Sequence, residues 1–218
     1  MKSLKSLAIA LVMVFALTAS GQTAQKAKPS ADELLERPLP GSQIEYLSTT
    51  DAFYISLGGV GMPGGAAWTL GCEQDNSTQV WIPLNKTLRQ ALDTIVERDT
   101  RYRWEMVDGT VNLLPATGEP ALLQTRINDF HVENTVSAIA ALGPLLALPE
   151  VKKAMNDLHL KPGIAVFISP GSPKPFSVAC KGVTLRQALN AIARAQGRAV
   201  WDYIEIHCQD RNEVVIRF

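Results

Sequence analysis

The sequence predicts an α+β fold of two tandem small domains, each with helices packed on a short mixed sheet. Three observations carry that prediction. The hexamer Thr-Leu-Arg-Gln-Ala-Leu stands at 87–92 and again at 184–189, and the likeness continues through Ile95 and Ile192, Arg101 and Arg198, Trp104 and Trp201, always 97 positions apart. That spacing is a duplicated domain, because solenoid units repeat every roughly 20 to 50 residues. Each hexamer opens with a capping-box pattern, Thr87 with Gln90 and Thr184 with Gln187, in which the two side chains satisfy orphan backbone N–H groups at a helix start. Period-two alternation follows each helix, so both copies read helix, strand, turn, strand.

Lys2 and Lys5 precede an apolar run from Leu7 to Leu17 and the small residues Ala19, Ser20 and Gly21. This reads as a secretory signal peptide over 1–21, too short for a membrane span and cleaved near Gly21 and Gln22. Without Lys2 and Lys5 the balance is 19 basic against 21 acidic residues, and no basic face for nucleic acid stands out. Residues 22–43, with Pro29, Pro38 and Pro40, read as a mobile N-terminal arm in which 31–36 has room for one helical turn.

The first module is assigned to 44–119 and the second to 120–218. In the first, local propensity over 51–57 favours a strand, but comparison with the second copy favours a helix over 52–57, ended by Gly58-Gly59. In the second, Asn134 is the expected cap of a helix through Leu142, stopped by Gly143-Pro144. Residues 67–72 align with the apolar stretch 164–169, and 80–84 with 177–181, as strands. The apolar positions Leu88, Ala91, Leu92, Ile95 and Val96 recur as Leu185, Ala188, Leu189, Ile192 and Ala193, one stripe of a helix in each copy. Gly197 suits the end of the second of these helices better than Thr100 suits the first. Asp108-Gly109 between alternating apolar residues predicts a tight hairpin, and the second copy has a longer one containing Ile204, Ile206, His207 and Cys208. Residues 115–120 read as a linker and 122–132 as the opening strand of the second module. Val151, Ala154, Met155 and Leu158 between Pro149 and Pro162 predict an inserted helix.

The strand leading into Val-Thr-Leu-Arg-Gln-Ala-Leu-Asn-Ala-Ile-Ala at 183–193, with a further strand after it, resembles the short N-terminal domain shared by bacterial secretins and TonB-dependent outer-membrane receptors. The resemblance covers 176–218 well and 80–115 less well, and the secretin ring or β-barrel that usually follows is absent. It implies a bacterial, periplasmic docking or signalling module with no catalytic residues to transfer and no cofactor, whose partner is an unknown envelope protein.

Five residues are candidates for sites. Arg89 and Arg186 fall opposite the leucines of their helices, where a solvated face is the ordinary reading; their repetition nominates them for partner contact. Three cysteines in an exported chain suggest one disulfide with one thiol left over, and Cys180 with Cys208 is the preferred pair; the alternative is three free thiols. His207 with Cys180 and Cys208 forms the competing reading, a periplasmic small-ligand or metal-binding protein. No C-x-x-C or H-x-x-H spacing supports it, and adjacent strand residues face opposite ways. Gly59-Val60-Gly61-Met62-Pro63-Gly64 matches a dinucleotide fingerprint, but lacks the strand-turn-helix context that gives the motif meaning. No nucleophile, base and orienting partner are suggested by spacing, so the chain is read as non-enzymatic.

Overall fold

A computed structural model describes residues 29–41, 44–71, 78–163, 174–209 and 211–218. The signal-peptide assignment and the strand expected over 164–169 lie outside the described residues. The fold is α+β.

Both predicted capping boxes form: Thr87 and Thr184 accept from the N–H groups of Gln90 and Gln187, whose side chains return to the cap N–H groups. They start α3 (Leu88–Arg98) and α6 (Leu185–Gln196), whose apolar stripes are buried. Gly197 closes α6 in the left-handed region at φ 101°, whereas α3 ends at Asp99 without such a cap. Around these helices the same element order occurs twice. The first half runs β1 (Ile44–Ser48), α2 (Thr49–Val60), β2 (Gly64–Gly71), β3 (Gln79–Ile82), α3, β4 (Tyr102–Val107) and β5 (Thr110–Pro115). The second runs β6 (Arg126–Thr135), α4 (Ala138–Leu146), α5 (Pro149–Asp157), β7 (Lys161–Pro162), β8 (Phe176–Thr184), α6, β9 (Val200–Cys208) and β10 (Arg211–Arg217). The helix predicted over 52–57 is the centre of α2, and the inserted helix is α5, with Pro149 at its first turn where a missing N–H costs nothing.

Pairing repeats too. β1 with β3 and β6 with β8 are antiparallel two-stranded sheets. β4 with β5 and β9 with β10 are antiparallel hairpins, the first turning through Asp108 and Gly109 at φ 50° and 73°. β2 joins β5 in parallel, and β7 joins β10 in parallel. One pairing has no counterpart: β2 runs parallel to β9 over eight residues, from Gly64 opposite Val200 to Gly71 opposite His207. It fuses the two halves into one six-stranded sheet of order β4-β5-β2-β9-β10-β7.

The halves keep separate cores on opposite faces of that sheet, because successive strand residues alternate faces. Ala66 and Trp68 of β2 join the core of Phe53, Leu57, Leu88, Leu92 and Ile95, while Ala67 between them joins the core of Leu142, Leu185, Leu189, Trp201 and Tyr203. On β9, Trp201 and Tyr203 face the second core and Val200 and Ile204 the first.

Four expectations are corrected. Residues 31–35 are not part of a mobile arm: they form α1 (Ala31–Leu35), capped by a Ser30/Glu33 box, with Leu34 and Leu35 buried in the first core. Its counterpart is the 3-10 turn Ala121–Gln124, whose Leu122 and Leu123 are buried in the second core; these residues precede β6, which starts at Arg126 rather than Leu122. Asn134 does not cap α4. It sits at φ 50° in a bulge of β6, and Ser137 is the cap. The helix also continues past Gly143-Pro144, since burial of Leu145 offsets the backbone bond that Pro144 cannot donate.

Candidate functional site

Arg186 lies at N2 of α6 on the polar stripe opposite the leucines, but that stripe is not solvated. The Arg186 side chain is 15% exposed, donates to Glu105 on β4, and has its Nε 2.9 Å from Oε1 of Glu119 in the loop after β5. One and two turns on, Asn190 donates to Asn112 Oδ1 on β5 at 3.0 Å, and Arg194 donates to the Asp108 carbonyl at 2.8 Å. The stripe Arg186, Asn190, Arg194 is therefore the contact that holds the first half against α6. Arg186 does meet a partner, but the partner is the other half of its own chain.

The electrostatics fit a charge taken partly out of water. Burial pushes the Glu105 carboxyl up, but hydrogen bonds from Arg186 and Arg103 outweigh it and hold the group below the usual range. Glu119 goes the other way: burial raises it, and the neighbouring Glu105 carboxylate adds to that rise while Arg186 opposes it. The joint has a second polar tie on the other face of the sheet. Asp202 on β9 accepts from Trp68 Nε1 on β2 at 2.6 Å and from Arg217 Nε at 2.7 Å. The buried Tyr54 hydroxyl beside them is held well above its ordinary pKa, by burial first and then by Asp202.

Arg89 occupies the equivalent place on α3 in a different setting. Its side chain is 42% exposed, pairs with Glu36 at 2.5 Å, and sits 5.9 Å over the Trp104 ring. Asp93, one turn on, accepts from Trp104 Nε1 at 2.9 Å, as Asn190 accepts from Trp201 Nε1 at 2.7 Å. The two tryptophans thus make the same helix–strand bond; Trp201 is fully buried and Trp104 half-buried.

The cysteines are not paired as expected. Cys208 is disulfide-bonded and Cys180 is free, which removes the Cys180–Cys208 bridge. The remaining cysteine of the sequence is Cys72, outside the described residues. Burial pushes the Cys180 thiol up, as suits a structural residue packed against the second core. Cys180 belongs to the β6–β8 sheet and His207 to the six-stranded one, and among the described residues no cluster of His, Cys, Asp or Glu is placed to hold a metal ion.

What the sequence reading missed on β9 is an i, i+2, i+4 row on one face. Tyr203 donates to Glu205, whose other oxygen lies 3.1 Å from His207 Nε2, and His207 Nδ1 is 3.3 Å from Asn212. The period-two spacing was the available signal. Glu205 can orient the imidazole, but Tyr203 is buried and its hydroxyl is pushed far above its ordinary pKa by burial and by Glu205, so it does not serve as a nucleophile. The dinucleotide-like glycines end α2 and lead into β2, helix to strand, with Gly61 as a left-handed cap at φ 72°. That is the reverse of a phosphate-binding turn.

An apolar cavity of about 510 Å³ lies between α4, α5 and β10, lined among others by Leu142, Leu146, Met155, Leu160 and Ile216. Its wall runs to Gly163, where the described residues stop. Large apolar side chains are exposed in both halves: Ile55 on α2, Trp81 on β3 and Leu84 just after it in the first, and Val136 and Leu158 in the second. No helix among the described residues is long and apolar enough to cross a membrane. No protein-family model matches the chain, and neither a curated protein nor a solved structure matches it.

Proposed function

We propose that this is an exported, periplasmic docking protein without enzymatic activity, whose two halves are diverged copies of the short N-terminal domain of secretins and TonB-dependent receptors, and whose partner is another envelope protein. The observation that carries the reading is Trp81. It stands 42% exposed on β3, a strand with one free edge among the described residues, and Leu84 beside it is 52% exposed. A large aromatic on an open strand edge is a costly surface for a protein to leave in water, and it suits strand addition, in which backbone bonds give affinity and side-chain pockets give specificity. The repeated β-α-β-β-α-β-β order agrees with the resemblance around Val183–Ala193. The metal-binding alternative loses its main ligand, because Cys208 is held in a disulfide.

A photo-cross-linking amino acid at Trp81 tests this in living cells. One discrete adduct with an envelope protein, absent when the same group replaces exposed Lys153 on α5, is the expected result. A Trp81 variant that stays uncross-linked contradicts docking at this strand, and a stoichiometric metal in the purified protein contradicts the non-metal reading.

A further inference from the structure

The duplication lets one half state what the other half's surface is for. In the second half, three features form a docking surface: an unbroken strand edge on β9, the Trp201–Asn190 bond, and the α6 stripe Arg186, Asn190, Arg194. Its occupant is the first half, which adds β2 parallel to β9 and slides β5 and the β4–β5 turn under the stripe. Shape complementarity there depends on glycine: a Cβ on Gly65 falls 1.8 Å from Cε2 of Trp201.

The first half carries the same three features with no described occupant. β4 is the terminal strand of the sheet. Ala116 N–H donates to the Arg101 carbonyl at 2.8 Å, which sets the hairpin alternation so that Arg103, Glu105 and Val107 bond to β5 and the backbone groups of Trp104 and Met106 point outward. Trp104 makes the counterpart bond to Asp93. The α3 stripe is Arg89, Asp93, Glu97, each 97 positions before Arg186, Asn190 and Arg194, and here it is solvent-facing: Arg89 is 42% exposed, and Asp93 and Glu97 are exposed.

We infer that the β4 edge together with the α3 stripe is a second docking site, which takes the edge strand of a separate polypeptide in parallel, with a glycine opposite Trp104 and basic side chains over Asp93 and Glu97. The direction follows from β2 on β9, and the glycine from Gly65 under Trp201. The charge follows from complementarity. Arg186 and Arg194 receive Glu105, Glu119 and a carbonyl, whereas Asp93 and Glu97 have replaced the neutral and basic members of the stripe, so the groups that cross it are cationic. A second copy of this chain is the less suitable occupant, because the groups that α6 receives from the first half are acidic or neutral.

This inference rests on the docking reading above but uses a different surface from Trp81, so the two fail separately. The test is titration of the full mature chain with a fluorescent synthetic peptide, two lysines followed by Gly-Gly-Ala-Ala-Trp-Thr-Leu, which copies the internal occupant at 64–70 and sets the required charge ahead of its first glycine, the end at which the β4–β5 turn meets Arg194. The expected result is saturable binding that weakens on the order of tenfold in Glu97→Lys at low salt. The difference shrinks at high salt, where exposed charges are screened. Valine in place of the peptide's second glycine abolishes binding, and this arm needs no change to the protein. Absence of binding up to about 1 mM, the weak limit of specific association, overturns the inference. So does binding indifferent to the peptide's glycine. If sedimentation instead finds the chain self-associating with rising concentration and Glu97→Lys dispersing it, the occupant is a second copy and the separate-strand inference is wrong.

Discussion

Gly65 was legible in the sequence only as the glycine that follows the dinucleotide-like motif ending at Gly64. Its physical reason is the indole of Trp201, far along the chain, which no local pattern announces. Gly65→Ala is expected to lower unfolding free energy by about 3 kcal/mol, the upper range for overpacking a tight core, measured by urea denaturation. The two arginines separate in the same way. Arg186→Ala leaves Glu119 partly buried without its ion pair and Glu105 with Arg103 alone, and is expected to cost roughly 3 kcal/mol. Arg89→Ala breaks an exposed pair with Glu36 and costs under about 1 kcal/mol. Their spacing was readable; their opposite fates were not, because a helix's polar face does not reveal what sheet lies over it. Asp99 supplies the acid dependence. Burial pushes its carboxyl up, but hydrogen bonds from Arg101 and Thr49 outweigh that and hold it below the usual range. Its contribution is present above the unfolded carboxylate's pKa of about 3.9 and is lost as pH falls through that value toward the folded one. Thermal stability is therefore expected to fall steeply below about pH 4, with a shallower acid limb in Asp99→Asn.

Among the elements, those with strong local chemistry read correctly: the two capped helices from their boxes, the first hairpin from Asp108-Gly109, and α5 from its apolar spacing and Pro149. The single helical turn of α1 was readable at 31–36 but its docking was not, because five residues among prolines give no periodicity; what orders them is burial of Leu34 and Leu35 in the first core. Leu35→Ala is expected to cost about 2 to 4 kcal/mol in chemical denaturation, as for a core leucine. A mobile arm would register no change. α2 was the converse case, where β-forming Phe53, Tyr54 and Ile55 yield to tertiary context, with Phe53 fully buried and Ile55 half-exposed on a helix.

At the scale of the molecule, the repeated element order was legible and the joint was not. Each half has its own core, but the cores lie on opposite faces of a single sheet, joined where β2 pairs in parallel with β9. Parallel pairing between distant strands carries no turn signal, so the sequence showed two modules and left their packing open. The fusion has an energetic consequence. Eight paired residues, the buried Trp68–Asp202 bond and the Arg186 contacts all cross between halves, so opening one half exposes a sheet edge and buried charge of the other. The most direct test is equilibrium unfolding in urea followed at once by tryptophan fluorescence and far-ultraviolet circular dichroism, with hydrogen exchange assigned to each half. Coincident transitions and one shared protection free energy for β2, β5, β9 and α6 are the predicted result. Two separated transitions, with one half exchanging fully while the other stays protected, would contradict the fused sheet as the unit of folding.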